Sequence, residues 1–265
     1  MPDVVHWNPV RWGRASTSGL GRWVPVRRGF RNFGDLLGPM IVERIQKKLE
    51  LGRAVARKPR LLAVGSIMRL GEQGDVVWGT GINGKTVDSA VFPRFDVRAV
   101  RGPLTAEALR KFGNEVPHVF GDPALLIPHL WSDQELGIQR GTGGTVLMPN
   151  YNDAENWPTA AVDPRGNPHK RIQLLASANL VVASSLHAVV IAEAYGVPTV
   201  LVRSSREPTF KYEDYYEGTG RRLPAIASDW RSGLEASPAP PIDGWDSGKL
   251  MSSFPSDLWL PRTKR

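Results

Sequence analysis

The residues best placed to do chemistry are Ser184-Ser185-Leu186-His187. The apolar, β-branched run at 180–183 has the length of a buried strand. Two serines follow as an N-cap signal, then a helix of roughly three turns that Gly196 closes, with Pro198 beyond. Thr199-Val200-Leu201-Val202 reads as the next strand, so the unit is strand, helix, strand, as in a parallel sheet. This helix is apolar on every face, which means burial. His187 falls in its first turn, where unpaired backbone amides and the positive end of the dipole attract anions. The dipole disfavours an imidazolium there by roughly 0.3–1 kcal/mol. A phosphate or carboxylate about 4 Å away contributes about 4 kcal/mol per charge in the opposite sense at an effective dielectric of about 20, so the ligand decides. The expectation is a histidine that is neutral in the empty site and protonated beside a bound anion, as general-acid work requires.

Arg101 follows one strand and precedes a helix that opens at Pro103. There a guanidinium can clamp a carboxylate or phosphate with two hydrogen bonds; a solvated surface arginine has the same spacing. Asn32-Phe33-Gly34-Asp35 offers an Asn and an Asp that could hydrogen-bond sugar hydroxyls, or only a turn and a helix cap. Lys211 and Asp214 lie in an aromatic, charged segment that reads as a loop or helix start. His6, His118, His129 and His169 have no supporting partners. No His/Asp/Glu cluster has metal-ligand spacing, no lysine-bearing phosphate loop is present, and Gly79-Thr80-Gly81 is too short for a dinucleotide fingerprint. No metal or cofactor is expected.

These residues need a scaffold. Further strands are read at 3–7, 60–64, 75–78, 96–100, 118–120 and 145–148, with helices beginning near Leu37 and Pro103 and another over 169–178. The strands of the first half end at Gly65-Ser66, Gly79, Arg101 and Gly121, and in an open parallel sheet such ends face a common crevice. Residues 8–30 read as a long loop near the site, 127–144 as a link between two domains, and 247–254 as a last amphipathic helix. With 265 residues and 41% hydrophobic content the chain can bury a large core. Its formal charge of +8 is concentrated at the ends, +5 in residues 1–31 and +3 in Arg262, Lys264 and Arg265. That suits phosphate-bearing ligands or an anionic membrane surface, and no nucleic-acid module accompanies it. Cysteine is absent, which excludes disulfides and thiolate chemistry. No apolar run of ~18 residues or signal-peptide core is read, so a cytoplasmic location is expected.

In order along the chain, Asn32-Phe33-Gly34-Asp35, Trp78-Gly79-Thr80-Gly81, Val100-Arg101-Gly102-Pro103-Leu104-Thr105, Gly121-Asp122-Pro123-Ala124, Ser184-Ser185-Leu186-His187-Ala188 and Gly196-Val197-Pro198 resemble the polysaccharide pyruvyl transferase family. The segment from Lys211 to Tyr216 also looks like a family element. The resemblance implies an α/β fold of two Rossmann-like domains facing a central cleft, similar to GT-B glycosyltransferases. Residues 1–128 would form the N-terminal, acceptor-side domain and 129–245 the C-terminal, donor-side domain. Residues 246–265 would form a helix and basic tail packing back on the first. Phosphoenolpyruvate is the implied donor and co-substrate, and a saccharide, expected to be lipid-linked, the acceptor. His187 and Arg101 are then the implied catalytic residues. Ser66, Arg101, Ser185, Leu186, His187, Arg203 and Lys211 would bind the donor, and Asn32, Asp35 and Trp78 the acceptor. Where many members carry arginine this chain has Ser185, so Arg203, Arg206 or Lys211 would take over that contact. The expected activity is ketal formation on an exopolysaccharide or cell-surface glycan, with peripheral contact of the basic ends at the inner face of the plasma membrane. The alternatives are a GT-B glycosyltransferase using a nucleotide sugar and a non-catalytic carbohydrate-binding protein.

Overall fold

Short runs of branched apolar residues form parallel strands, and their pairing sorts them into two sheets. The computed structural model describes residues 2–7, 10–14, 25–29, 32–85 and 90–260. The first half contains β1 (Val4–Val5), β2 (Val10–Arg14), β3 (Pro25–Gly29), α1 (Leu37–Lys48), β4 (Leu61–Leu62), β5 (Val76–Trp78), β6 (Asp96–Ala99) and α2 (Pro103–Lys111). After it come α3 (Ile127–Leu130), α4 (Asp133–Leu136), β7 (Gly143–Met148), α5 (Pro168–Ser177), β8 (Ala178–Ala183), α6 (Leu186–Ala194) and β9 (Thr199–Leu201). The chain finishes with α7 (Phe210–Gly218), α8 (Trp230–Glu235) and α9 (Ser247–Ser252).

One sheet has the order β1-β4-β5-β6 and the other β7-β8-β9, and every pairing within them is parallel. Strands join each sheet in sequence order, so neither contains the reversal of order that creates a crevice inside a single doubly wound sheet. The crevice arises instead where the carboxyl ends of the two sheets meet. A single buried cluster runs through both halves, from Val4, Phe33 and Leu37 to Val189, Ile191, Tyr216 and Leu250.

Three stretches differ from the sequence reading. Residues 127–144 are not an open linker: α3, α4 and the turn after them put Ile127, Leu130, Leu136 and Ile138 into the shared cluster. A Ser132 capping box and left-handed Gly137 bound α4, local signals that the turn formers concealed. Within 8–30, β2 and β3 pair as an antiparallel ribbon, with Val10 opposite Gly29 and Arg14 opposite Pro25. The segment containing Lys211 is a full helix, α7. The arginine side chains of residues 1–31, the hairpin turn and the tail Arg262, Lys264 and Arg265 lie outside the described residues. At the other end, α9 rests against the first half, where Trp78 Nε1 donates to Leu250 O at 3.0 Å. No described helix is long and apolar enough to cross a membrane.

Candidate active site

A cavity of about 550 Å³ opens at the meeting of the two sheets. Its wall is built from the loops that leave the carboxyl ends of strands. Ser66, Ile67 and Arg69 come after β4, Asn83 and Lys85 after β5, Asn150, Tyr151 and Asn152 after β7. Ser185, Leu186 and His187 follow β8, Glu207 and Lys211 follow β9, and Asn32 and Asp35 lie just before α1. The volume falls within the usual small-ligand range.

At the start of α6, Ser185 occupies the N-cap in extended conformation but its hydroxyl makes no capping bond. The amides of Leu186 and His187 have no acceptor among the described residues. These are the first-turn donors that an anion satisfies. The His187 ring is clasped by Phe33, edge-on with centroids 6.4 Å apart, and by Gly34. A Cβ on Gly34 would overlap Nδ1, so the absence of a side chain there is what admits the imidazole. Nε2 is buried and has no hydrogen-bond partner. Burial first, then the charges of Lys211 and Arg101, push the His187 pKa down to about 3. The ring is therefore neutral near pH 7, and desolvation rather than the helix dipole is the main reason.

Asp35 moves the other way. Burial raises its pKa to about 6, against the hydrogen bond from Asn32 and the charges of Lys211 and His6. Asn32 Nδ2 holds its carboxylate at 2.6 Å. Two titratable groups pushed apart in one cavity are a pattern suited to acid–base work. Lys211 is 4% exposed, with its Nζ 3.2 Å from Glu207 and 5.0 Å from the ring centre of Tyr212. Burial lowers its pKa, and Glu207 opposes that shift.

Arg101 takes a different place from the expected clamp. It is fully buried and is not part of the cavity wall. Nε and Nη2 both lie 2.9 Å from Asp214 Oδ2; Nη1 donates to Ser66 Oγ at 2.7 Å and Nη2 to Ile82 O at 2.7 Å. The other Asp214 oxygen accepts from the Thr105 amide at 2.8 Å. The cause is local: Gly102 and Gly218 let α7 lie backbone against backbone on the start of α2, and a Cβ on either would overlap main-chain oxygen. So Arg101 reaches the cavity through Ser66, which does line it, and through its charge, which His187 feels.

Trp78 is also displaced from its expected role. It is fully buried, donates to Leu250 O and Ser253 Oγ, and meets Phe254 edge-on at 5.0 Å. Its strand is covered on both faces, which leaves its indole no route to a sugar. Arg203 is exposed and lines a separate small cavity with Ser204, Pro208 and Ile226. Arg206 pairs with Glu155 at 3.2 Å in the wall of an open trough of about 520 Å³. That trough shares Lys85, Tyr151 and Asn152 with the central cavity.

Sequence reasoning missed Asn83, Lys85, Asn150, Tyr151, Asn152 and Glu207. The strand-end rule applied to β7 and β5 would have found the first five. Glu207 carried only an i,i+4 spacing to Lys211. No group of three or more His, Cys, Asp or Glu among the described residues could hold a metal ion.

The chain also resembles a known protein and a known family. It is 29% identical over 213 residues to the succinoglycan biosynthesis protein ExoV of Rhizobium meliloti (strain 1021), covering 73% of this chain and 65% of that protein. The match thus spans just under two thirds of the relative's length. Residues 73–206, which contain Trp78, Arg101 and the Ser185–His187 turn, match the polysaccharide pyruvyl transferase family. That stretch is half of the chain, and the chain belongs to the polysaccharide pyruvyl transferase family.

Proposed function

We propose that this protein transfers the pyruvyl group of phosphoenolpyruvate to two hydroxyls of one sugar in an exopolysaccharide repeat, forming a cyclic ketal and releasing phosphate. The observation that carries this reading is His187, neutral and unpartnered at Nε2, at an uncapped helix start beside Lys211 in the shared cavity. The donor is a compact trianion. The Leu186 and His187 amides, Ser185, the Lys211 ammonium and the Ser66 hydroxyl are the groups that would receive it. Once the anion is bound, His187 takes up a proton and delivers it to the methylene carbon, which becomes the methyl group of the ketal. One sugar hydroxyl adds to the adjacent carbon, phosphate leaves, and the second hydroxyl closes the ring. The two hydroxyl protons return to solvent and phosphate. Asp35, with its pKa near 6, suits the base that accepts the first of them, and Asn32 orients it. Arg101 has the role of fixing Ser66 and supplying positive charge, not of a direct clamp.

The acceptor would enter over Tyr151 and Asn152 from the open trough. The relative's printed role in succinoglycan biosynthesis supports a polysaccharide acceptor. Two parallel sheets with their carboxyl ends around one cavity suit a GT-B-like arrangement, with the donor against the second sheet. A lipid-linked acceptor at the cytoplasmic membrane face, met by the basic ends, completes the proposal. The test is phosphate release from phosphoenolpyruvate in the presence of lipid-linked succinoglycan-type oligosaccharides. His187→Ala should lower turnover by ~10²–10⁴, and near-normal turnover would remove His187 from the mechanism. A nucleotide-sugar glycosyltransferase would instead be thermally stabilised by nucleoside diphosphates and not by phosphoenolpyruvate.

A further inference from the structure

Four donors, three from two strand-end loops and one from the first turn of α7, converge on one buried carboxylate at the edge of the cavity. Glu207 Oε1 accepts from Lys85 Nζ at 2.6 Å and from Asn152 Nδ2 at 3.0 Å. Oε2 accepts from Asn83 Nδ2 at 2.9 Å and from Lys211 Nζ at 3.2 Å. Asn83 and Lys85 follow β5 in the first sheet, Asn152 follows β7 in the second, and Lys211 is in the first turn of α7. The side chain of Glu207 is only 3% exposed. A carboxylate beside a site for a trianionic ligand repels that ligand unless its charge is offset, and here two ammonium groups offset it.

We propose that Glu207 is a positioning residue for the donor: an internal counter-ion that fastens the ammonium groups of Lys85 and Lys211 at the cavity wall and keeps the buried Lys211 charged until the donor anion arrives. The proposal rests on the reading of this cavity as the phosphoenolpyruvate site. Its physical basis is the burial of Lys211, because an ammonium taken out of water loses its proton readily unless an anion accompanies it. The charged and titratable groups around Lys211 are Glu207, Lys85, Arg101, Asp35, His187 and Tyr212, whose burial keeps its phenol protonated. Of these, Lys85 and Arg101 are cations that disfavour the ammonium and His187 is neutral. Asp35, with a pKa of about 6, is largely ionised from neutral pH upward, but it is Glu207 that hydrogen-bonds the Lys211 ammonium. Glu207 is the anion that holds the proton on Lys211, by its charge and by its hydrogen bond; although burial opposes it, Lys211, Lys85 and Asn83 bring its own pKa down to about 2. The same carboxylate ties the loop after β5 to the loop after β7, so the two lysines approach the ligand from opposite sheets with their geometry already set.

The experiment is a titration of phosphoenolpyruvate binding by calorimetry from pH 6 to pH 10, in wild type and Glu207→Gln, with no acceptor present. In Glu207→Gln the donor Kd should rise about ten-fold at neutral pH, and the alkaline loss of binding should begin at least about one pH unit lower, a one-unit fall in the Lys211 pKa being a factor of ten in its ionisation equilibrium. Glu207→Asp, too short to reach both lysines at once but still charged, should keep the wild-type alkaline limb while weakening binding. Adding Lys211→Arg to Glu207→Gln should restore the limb, since guanidinium does not titrate in this range. Equal or tighter donor binding by Glu207→Gln with an unshifted limb would overturn the proposal, because the carboxylate would then be acting only by repulsion or only as a structural tie. If Glu207→Gln does not fold, Asn152→Ala, which frees one side of the carboxylate, should still raise the Kd several-fold, and an unchanged Kd would overturn the proposal equally. Failure of wild type to bind phosphoenolpyruvate at any pH would instead defeat the donor assignment itself.

Discussion

Binding of phosphoenolpyruvate should raise the pKa of His187 by several units, and the size of the rise identifies which end of the donor faces the ring. The empty site holds His187 near 3 through burial, Lys211 and Arg101. Bringing it to about 7 requires four units, or about 5.4 kcal/mol. One charge about 4 Å away supplies about 4 kcal/mol at an effective dielectric of about 20, or about three units. A donor carboxylate facing the ring thus leaves His187 near 6, mostly neutral at physiological pH. The dianionic phosphate supplies about twice as much, about 8 kcal/mol, and carries the pKa past 7. Only the second orientation gives a histidine charged before it must deliver its proton. The assay is a carbon-detected NMR titration of the imidazole, with and without saturating donor, paired with calorimetry in buffers of different ionisation enthalpy at pH 7.5. The donor is a trianion at that pH, so the phosphate orientation predicts uptake of close to one proton per molecule bound. A bound-state pKa below about 5, or no proton uptake, would refute His187 as the acid. Asp35, whose pKa of about 6 leaves a protonated fraction near neutrality, would then be the remaining candidate.

Three further substitutions separate the roles assigned to the surrounding residues. Gly34→Ala places a methyl group on the His187 ring; turnover should fall by about 10²-fold, as expected for a misplaced catalytic group, while the melting temperature moves by only a few degrees. Retention of full activity would mean that the imidazole position is not critical. Asp214→Asn leaves the Arg101 guanidinium buried without its counter-charge, so chemical unfolding should show a loss of about 3–5 kcal/mol, and a loss below about 1 kcal/mol would show that the pair is not the tie between α2 and α7. Trp78→Phe removes a donor to Leu250 O and Ser253 Oγ, costing about 1–2 kcal/mol of stability with the acceptor KM unchanged. A large rise in that KM would return Trp78 to the acceptor site.

The features legible in the sequence were those fixed by local chemistry. The β8–α6 turn could be read because a branched run, two serines, an apolar helix and a closing glycine all state the same structure within 20 residues. His187, Asp35, Ser66 and Lys211 were correctly expected near strand or helix ends, and the fold carries all four to one cavity. Arg101 and Trp78 show where local reasoning stops. Each sits at a strand end, as the pattern said, but whether a strand end faces a ligand or another helix depends on what packs over it. For Arg101 that is α7, more than 100 residues later, admitted by the bare backbones of Gly102 and Gly218. For Trp78 it is α9, again a distant segment that the hydrophobic period cannot place. Glu207 was invisible for the converse reason: three of its four donors belong to loops without regular period, and only the joining of two sheets brings them to one carboxylate. The charge of Lys211 on His187, which helps set the site's protonation state, is likewise a contact between elements. A sequence could suggest that an imidazole lay at a helix start, but its pKa follows from neighbours that only the assembled fold supplies.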